Sequence, residues 1–557
     1  MASQITLPIV PSAQSQRATT TSDDGALDQV RLLEALSRPS AYGSGCEHVE
    51  RLETHISCVF LTGGYAYKVK KAVNFGFLDF TSLEARRKYC EEELRLNRRL
   101  APALYLEVVP ITGSVDAPVI GGTGPALEYA VKMLEFPQDE LASRILTRGE
   151  LSAADIDALA AKVAAFHAAA GVAAGDGFLG LPKEILRIAR QNFAQLGELP
   201  IPVGDRDRIE SLRVWTEREF AARRGAFLRR REEGFIRECH GDLHLGNIAR
   251  IDGELTIFDC IEFNESMRWI DVMSEVAFTV MDLHERGRAD LAARFLNTYV
   301  ETTGDYAGLS VLRFYLVYRA LVRAKIACMR AAQLRAGDAQ RALAAEWRGY
   351  LTLASNYAQS VPGALVITHG FSGCGKTTLS HALLEAIGAV RIRSDVERKR
   401  MHRRGLFERG SAGIDQDLYA ARVTEQTYTR LADLAREIVR AGFIALVDAA
   451  FLKRWQRNLF RDLARELGMP FVIVDFVAKD STLRERVARR AAAGTDASDA
   501  DLAVLAYQLW TSDALAPEER SNVVTYDAEA PVEAARQPGA WEALRAHHIG
   551  DETLTRR

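Results

Sequence analysis

The chain has no apolar run approaching the length of a membrane span, and its first residues lack a basic segment followed by an apolar one. The expectation is a cytoplasmic protein with no membrane partner. Paired cysteines are missing too. Seven thiols, an odd number, stand singly at 46, 58, 90, 239, 260, 328 and 374, with neither the density of a secreted scaffold nor the spacing of a zinc site. They read as buried reduced thiols. Nor is there an excess of charge: a net −3 gives no general affinity for nucleic acid, although local basic clusters exist. What the chain does have is length. With 557 residues, 48% of them apolar, it is too long for one core and rich enough to fill two or three.

Two stretches carry chemistry. Gly370-Phe-Ser-Gly-Cys-Gly-Lys-Thr377 follows the apolar run Ala364-Leu-Val-Ile367 and leads into the helix-forming Leu379, Ala382, Leu383 and Leu384. Strand, glycine loop and helix in that order make a phosphate-binding loop. Backbone N–H groups turn inward around a polyphosphate, Lys376 reaches the outer phosphates, and the helix presents its positive end. The nucleotide-binding set is therefore Gly370, Ser372, Gly373, Cys374, Gly375, Lys376, Thr377 and Thr378, with the Thr377 hydroxyl placed to hold Mg²⁺. Upstream, Cys239-His240-Gly-Asp242-Leu-His-Leu-Gly-Asn247 has the spacing of a kinase catalytic loop, and the short strand Leu255-Thr-Ile-Phe-Asp259 ends in an aspartate. Two sites for ATP and Mg²⁺ are implied.

Along the chain, residues 1 to 25 are polar and aperiodic and read as a disordered leader. Leu27, Val30, Leu33 and Leu36 form a short helix that stops before Pro39. Residues 56–60 and 65–69, around Gly63-Gly64, read as a hairpin. A charged helix over 83–100 and strands over 104–109 and 126–133 complete a small lobe. From Ser152 the chain turns helical except around 240–263, making a larger lobe. Past Pro362-Gly363, strands at 364–368, 389–393, 443–448, 471–477 and 522–526 alternate with helices, the pattern of a covered parallel sheet. The fold class is thus a two-lobed α+β domain over 26–355 followed by an α/β domain over 362–545.

Phosphoryl transfer needs a cationic clamp on the triphosphate, metal between the phosphates and a base at the acceptor hydroxyl. In the first domain Lys68 on the hairpin is the clamp, with Lys70 on the same face as the alternative. Glu93 on the next helix orients it, with Glu91 and Glu92 beside it as competitors. Asp242 is the base, and Asn247 and Asp259 hold Mg²⁺. His240 to Asn247, Phe258-Asp259 and Trp269-Ile-Asp271 resemble the aminoglycoside phosphotransferase family, which has the protein-kinase-like fold. The resemblance covers about residues 45 to 350 and implies a loop-bracing role for Asp271 and a loop-orienting one for His240. No Gly-x-Gly-x-x-Gly precedes the lysine; Thr54-His55-Ile56-Ser57 takes that place. The stretch 313–348 holds Arg313, Arg319, Arg323, Lys325, Arg330, Arg335, Arg341 and Arg348 against only Asp338 and Glu346. If it walls the acceptor, a neutral or anionic hydroxyl compound fits better than a polycation; otherwise these are solvated faces or an interdomain contact.

In the second domain Asp395, after the second strand, is the base, and Asp448, at the end of the third, organises Mg²⁺ and its water. Arg486, Arg489 and Arg490 share a helix face, with Arg484 beside them; some are expected to fold over the transferred phosphate as a lid, the alternative being that half are surface charges paired with Glu485 or nearby acids. Arg398, Lys399, Arg400, Arg403 and Arg404 either steer an anionic acceptor or are solvated. These features resemble the small P-loop kinases that include gluconate kinases, polynucleotide 5′-hydroxyl kinases and zeta toxins. The order of the two signatures resembles bacterial bifunctional aminoglycoside phosphotransferase/ATP-binding proteins. That resemblance implies a kinase moving γ-phosphate to hydroxyl groups of small molecules. The alternatives are a nucleotide-sensing regulator in which one domain only binds ATP, or a nucleic-acid 5′-hydroxyl kinase in the C-terminal domain.

Overall fold

The computed structural model describes residues 23–75, 78–175, 177–334, 337–359, 363–402, 417–493 and 501–549. Residues 1–22 of the expected leader, with Arg335, Arg403 and Arg404, lie outside them. Contacts divide the chain into two units, Met1–Glu285 with Leu312–Ala358, and Arg286–Val311 with Gln359–Arg557. All seven thiols are free, six of them buried and Cys46 half-exposed. Among the described residues no helix is long and apolar enough to cross a membrane.

The first unit opens with a helix, Asp23–Ala35, and a six-stranded antiparallel sheet. Its strands are β1 (Glu50–Glu53), β2 (Ser57–Leu61), β3 (Tyr65–Lys70), β4 (Tyr105–Ser114), β5 (Ala117–Ile120) and β6 (Glu128–Leu134), in the order β1-β2-β3-β6-β4-β5. In the β1–β2 turn the Thr54 hydroxyl accepts the Ser57 N–H at 2.9 Å, so a side chain fixes the bend where a glycine run was missing. The helix Leu83–Asn97, capped by Ser82, packs on β4 and β6. Its buried positions Arg86, Cys90, Glu93 and Asn97 fall at helical spacing on one stripe, which turns Glu93 inward. Glu91 and Glu92 fall off that stripe and pair with Arg87 and Arg95.

A helical lobe follows, beginning with Ala153–Ala169, whose start is fixed by a Ser152/Asp155 capping box. The helices Pro182–Glu198, Val203–Glu232, Val272–Glu285, Leu309–Gln333 from Leu312 on, and Asp338–Ala358 complete it. Between them, β7 (Ile236–Glu238) pairs with β10 (Trp269–Asp271), and β8 (Ile248–Ile251) with β9 (Glu254–Ile257). These two ribbons frame the segment 239–247 and Asp259. The arrangement is the two-lobed α+β fold expected.

In the second unit β11 (Ala364–His369), β12 (Val390–Arg393), β13 (Ile444–Asp448), β14 (Phe471–Val477) and β15 (Val523–Asp527) form an all-parallel sheet in the order β12-β13-β11-β14-β15. Val366, Leu383, Leu446, Val474, Val487 and Leu505 fill its core. The helix Ala289–Thr303 groups with this unit: Ala293 joins the core, and Asn297 donates to the Ala389 carbonyl while accepting the Arg391 N–H.

Candidate functional site

In the first unit, alternation along β3 sends Lys68 and Lys70 to the same side of the sheet. Lys68 Nζ lies 2.8 Å from Glu93 Oε1 and 2.6 Å from Asp259 Oδ1. Lys70 Nζ lies 2.7 Å from Glu93 Oε2 and pairs with Glu262. Of the two, Lys68 joins the helix to Asp259, and Lys70 joins it to Glu262 as a second anchor for Glu93. Burial pushes the Glu93 carboxyl up, but the two ammonium groups outweigh it and hold it far below the usual range. Asp259 takes a left-handed backbone, φ +66°, which strains any residue but glycine by about 1–2 kcal/mol. Its N–H donates to the Tyr105 hydroxyl at 3.2 Å.

The segment 239–247 is tied down from several sides. Gly241 has φ +91°, and a Cβ there would sit 2.8 Å from the Met267 carbonyl oxygen, so no other residue fits. Asn247 Nδ2 donates to the Asp242 carbonyl at 3.0 Å and to its Oδ2 at 3.1 Å, while Asn247 Oδ1 is buried with no hydrogen-bond partner. His240 Nδ1 accepts the Asp242 N–H at 3.2 Å and Nε2 donates to the Phe258 carbonyl at 2.8 Å, so both ring nitrogens orient the loop. His244 Nδ1 accepts the Gly246 N–H, which leaves the ring proton on Nε2, 3.4 Å from Asp242 Oδ2. Burial raises the Asp242 carboxyl, but His244 and the Arg323 guanidinium outweigh it and keep it ionised.

The resemblance gave the bracing role to Asp271, and the contacts place it elsewhere. Asp271 forms a buried two-pronged pair with Arg230, at 2.7 and 2.8 Å. The brace is Glu275, one turn further on. It accepts the His240 N–H at 3.1 Å, the Gly241 N–H at 2.6 Å and His167 Nε2 at 3.0 Å. Asp282 accepts the Leu245 N–H, and the Thr279 hydroxyl donates to the Leu243 carbonyl. Their spacing 275, 279, 282 down one helix face was visible in the sequence, but an apolar helix with polar insertions reads equally as core. Of the basic stretch, Arg319 and Lys325 are buried and line a cavity of about 110 Å³ together with Asp242, whereas Arg341 pairs with Asp338 and Arg348 with Asp205.

In the second unit the register Arg393↔Asp448 puts Ser394-Asp395 and Asp448 at the same sheet edge as the loop after β11. That loop runs from Gly370 to Gly375, and the helix Lys376–Ile387 starts with Lys376, Thr377 and Thr378. At Gly373, φ +88°, a Cβ would lie 2.6 Å from the Leu483 carbonyl oxygen; only glycine lets the helix Asp480–Ala493 lie this close. Cys374 is buried beneath the loop, Lys376 Nζ donates to the Gly370 and Phe371 carbonyls at 2.8 Å each, and the Ser372 N–H donates to Gln508 Oε1 at 2.9 Å. Asp448 Oδ2 accepts from the Ser380 hydroxyl at 3.1 Å and sits 3.9 Å from Arg391 Nη1. Asp395 opens the helix Ser394–Met401 and pairs with Arg398 at 3.5 Å.

Of the expected lid, Arg486 is beside the loop: a Cβ on Gly375 would meet its Nη1 at 3.7 Å, and it donates to the Ala528 carbonyl. Arg484 pairs with Asp480 and Arg489 with Glu485 on the exposed side; the Arg490 side chain lies outside the described residues. Arg391, on β12, is buried and donates to the Thr377 carbonyl at 3.1 Å and the Ser380 hydroxyl at 2.9 Å. Glu301, from the helix Ala289–Thr303, holds both Arg391 and Arg393 at 3.3 Å. Nothing in the sequence linked that glutamate to a strand ninety positions later.

Comparison with known proteins also finds two parts, the first match running through residues 286–311, which group with the second unit by contact. Residues 77–315 match the phosphotransferase enzyme family, and residues 365–515 match an AAA domain. An uncharacterized protein of Mycobacterium tuberculosis is 30% identical over 478 residues, spanning 84% of this chain and 93% of that protein, and one from Mycobacterium bovis matches to the same extent. Among solved structures, the chain is similar to a sugar kinase from a Janibacter species, with 20% identity, 35% of this chain and 100% of the other covered, and a TM-score of 0.26. It is also similar to a choline/ethanolamine kinase family protein from Mesorhizobium loti, with 14% identity, coverage of 59% and 99%, and a TM-score of 0.34. The chain joins two kinase-type, nucleotide-binding domains and belongs to the family of bifunctional aminoglycoside phosphotransferase/ATP-binding proteins.

Proposed function

We propose that the chain is a bifunctional phosphotransferase in which two independent Mg²⁺-ATP sites each pass the γ-phosphate to a hydroxyl of a small molecule. In each transfer the acceptor oxygen bonds to the γ-phosphorus as the bond from phosphorus to the β–γ bridging oxygen breaks, and the hydroxyl proton leaves to a carboxylate. In the first unit Lys68 clamps the phosphates, Glu93 holds Lys68 in place, and Asp242 takes the proton. Asn247 and Asp259 would hold Mg²⁺, whose charge offsets that of the phosphates; the buried, partnerless Asn247 Oδ1 and the all-oxygen donor set suit a hard cation. In the second unit the loop from Gly370 to Gly375 with Lys376 cradles the phosphates, Thr377 and Asp448 would hold the metal, and Asp395 takes the proton.

The observation that carries the reading is Lys68 held between Glu93 and Asp259 at 2.8 and 2.6 Å, beside a tethered Asp242-to-Asn247 segment. The test is ADP release by the intact chain against a library of hydroxyl metabolites, with Asp242→Asn and Asp395→Asn made separately. Each change should remove about 10²- to 10⁴-fold of the turnover of its own site and leave the other's acceptors unaffected. Turnover indifferent to both changes would sink the reading.

A further inference from the structure

The cavity that Asp242 shares with Arg319 and Lys325 has walls of Ile185, Ile188, Phe314, Tyr318, Val322 and Ile326. Tyr315, Tyr318, Arg319, Val322, Lys325 and Ile326 fall at helical spacing on Leu309–Gln333, so one helix face supplies most of one side. The charges in it are unbalanced. Each carboxylate that lines it is already engaged: Asp271 with Arg230 at 2.7 Å, Glu184 with Arg187 at 2.7 Å, and Asp242 with Asn247 at 3.1 Å. The cations are not. Arg319 donates to the Ser274 and Gly241 carbonyls, and Lys325 Nζ donates to Gln195 Oε1 at 2.9 Å; among the described residues neither pairs with a carboxylate.

Three further polar groups on the same walls are orphaned. Both amide atoms of Asn192 and the Tyr315 hydroxyl are buried without a hydrogen-bond partner. A buried donor or acceptor left unpaired costs about 1–3 kcal/mol, so unpaired polar groups lining the same cavity as an ammonium group mark a site awaiting a ligand. An apolar wall excludes a heavily hydroxylated sugar-like body as the best fit, and a polycation would bring like charges against Lys325 and Arg319.

We infer that the first site's acceptor is a hydroxylated organic acid: an apolar body whose hydroxyl faces Asp242 and whose carboxylate settles on Lys325, with Asn192 and Tyr315 completing its hydrogen bonds. This rests on the kinase reading of the first unit. Burial without a counter-ion pulls the Lys325 amine down to about 7, so a bound carboxylate supplies the partner the fold withholds.

The test uses three matched probes: 4-(hydroxymethyl)benzoate, its methyl ester, and 4-(aminomethyl)benzyl alcohol. Binding is followed by ligand-observed NMR on the full chain and on Lys325→Met, which keeps the side-chain volume. The acid should bind the wild type at least about tenfold more tightly than the ester or the amine, the scale of one charge-assisted hydrogen bond, and Lys325→Met should erase that preference. Equal binding of the three, binding of none, or a preference that survives Lys325→Met overturns the assignment. ADP release on the same probes separates the two ideas. An acid preference without turnover leaves the pocket assignment and removes the kinase reading; turnover of all three alike does the reverse.

Discussion

Replacing Glu275 by glutamine tests whether the catalytic segment is held by that carboxylate. Glu275 is fully buried, and its oxygens take the His240 and Gly241 N–H groups and His167. Burial pushes its carboxyl up, but the His167 hydrogen bond and the Gly241 N–H outweigh it and hold it at about 2. Against the ordinary glutamate value of about 4.3, that difference is worth about 3 kcal/mol of stability at neutral pH. The sign follows from a depressed folded-state value: the contribution is complete above about pH 5 and is lost as pH falls from about 4.3 toward 2. Glutamine fits the space but turns an NH₂ group on one of the backbone donors. In Glu275→Gln, amide exchange over residues 236–247 should quicken about 30- to 150-fold at pH 7, matching 2–3 kcal/mol. At pH 4, where about 0.6 kcal/mol of the wild-type advantage has gone, the gap should narrow about threefold. Unchanged exchange at pH 7, or a gap that does not narrow on acidification, would refute the bracing role.

Lys68→Met leaves Asp259 and part of Glu93 uncompensated in a buried site. A stability loss of about 3 kcal/mol, read from urea unfolding of the first unit, should accompany loss of nucleotide there and not at the second site. Gly373→Ala combines a positive φ with a Cβ 2.6 Å from the Leu483 carbonyl oxygen, so binding of an ATP analogue to the second unit should weaken at least about tenfold, measured by calorimetry. Lys325, held at about 7 in the folded chain, carries fewer protons than in the unfolded one between about pH 7 and 10. Wild type should therefore gain stability over Lys325→Met by about 1.4 kcal/mol per pH unit across that window, and a flat difference would show that the amine is not buried alone.

Much of this was legible in the residues. The strands at 56–60, 65–69, 104–109 and 126–133 and all five of the parallel sheet follow from apolar runs and glycine punctuation, whereas β1 and β5 were not legible; Lys68 and Asp259 both stand out in the sequence, but their direct contact does not. Glu93 stands out with Glu91 and Glu92 as competitors, and only the buried stripe Arg86, Cys90, Glu93, Asn97 decides between them. What stayed hidden were contacts between elements far apart in sequence. Periodicity shows that Ala289–Thr303 has an apolar face, but not that Asn297 and Glu301 would address Ala389, Arg391 and Arg393. Likewise nothing in the sequence turns Arg391 onto Thr377 and Ser380, where the structure buries it.

Titration calorimetry with a non-hydrolysable ATP analogue and Mg²⁺ tests most directly whether one chain holds a pair of nucleotide pockets. The wild type should bind two equivalents, Lys68→Ala one and Lys376→Ala the other one. A single equivalent that survives both substitutions would contradict the account.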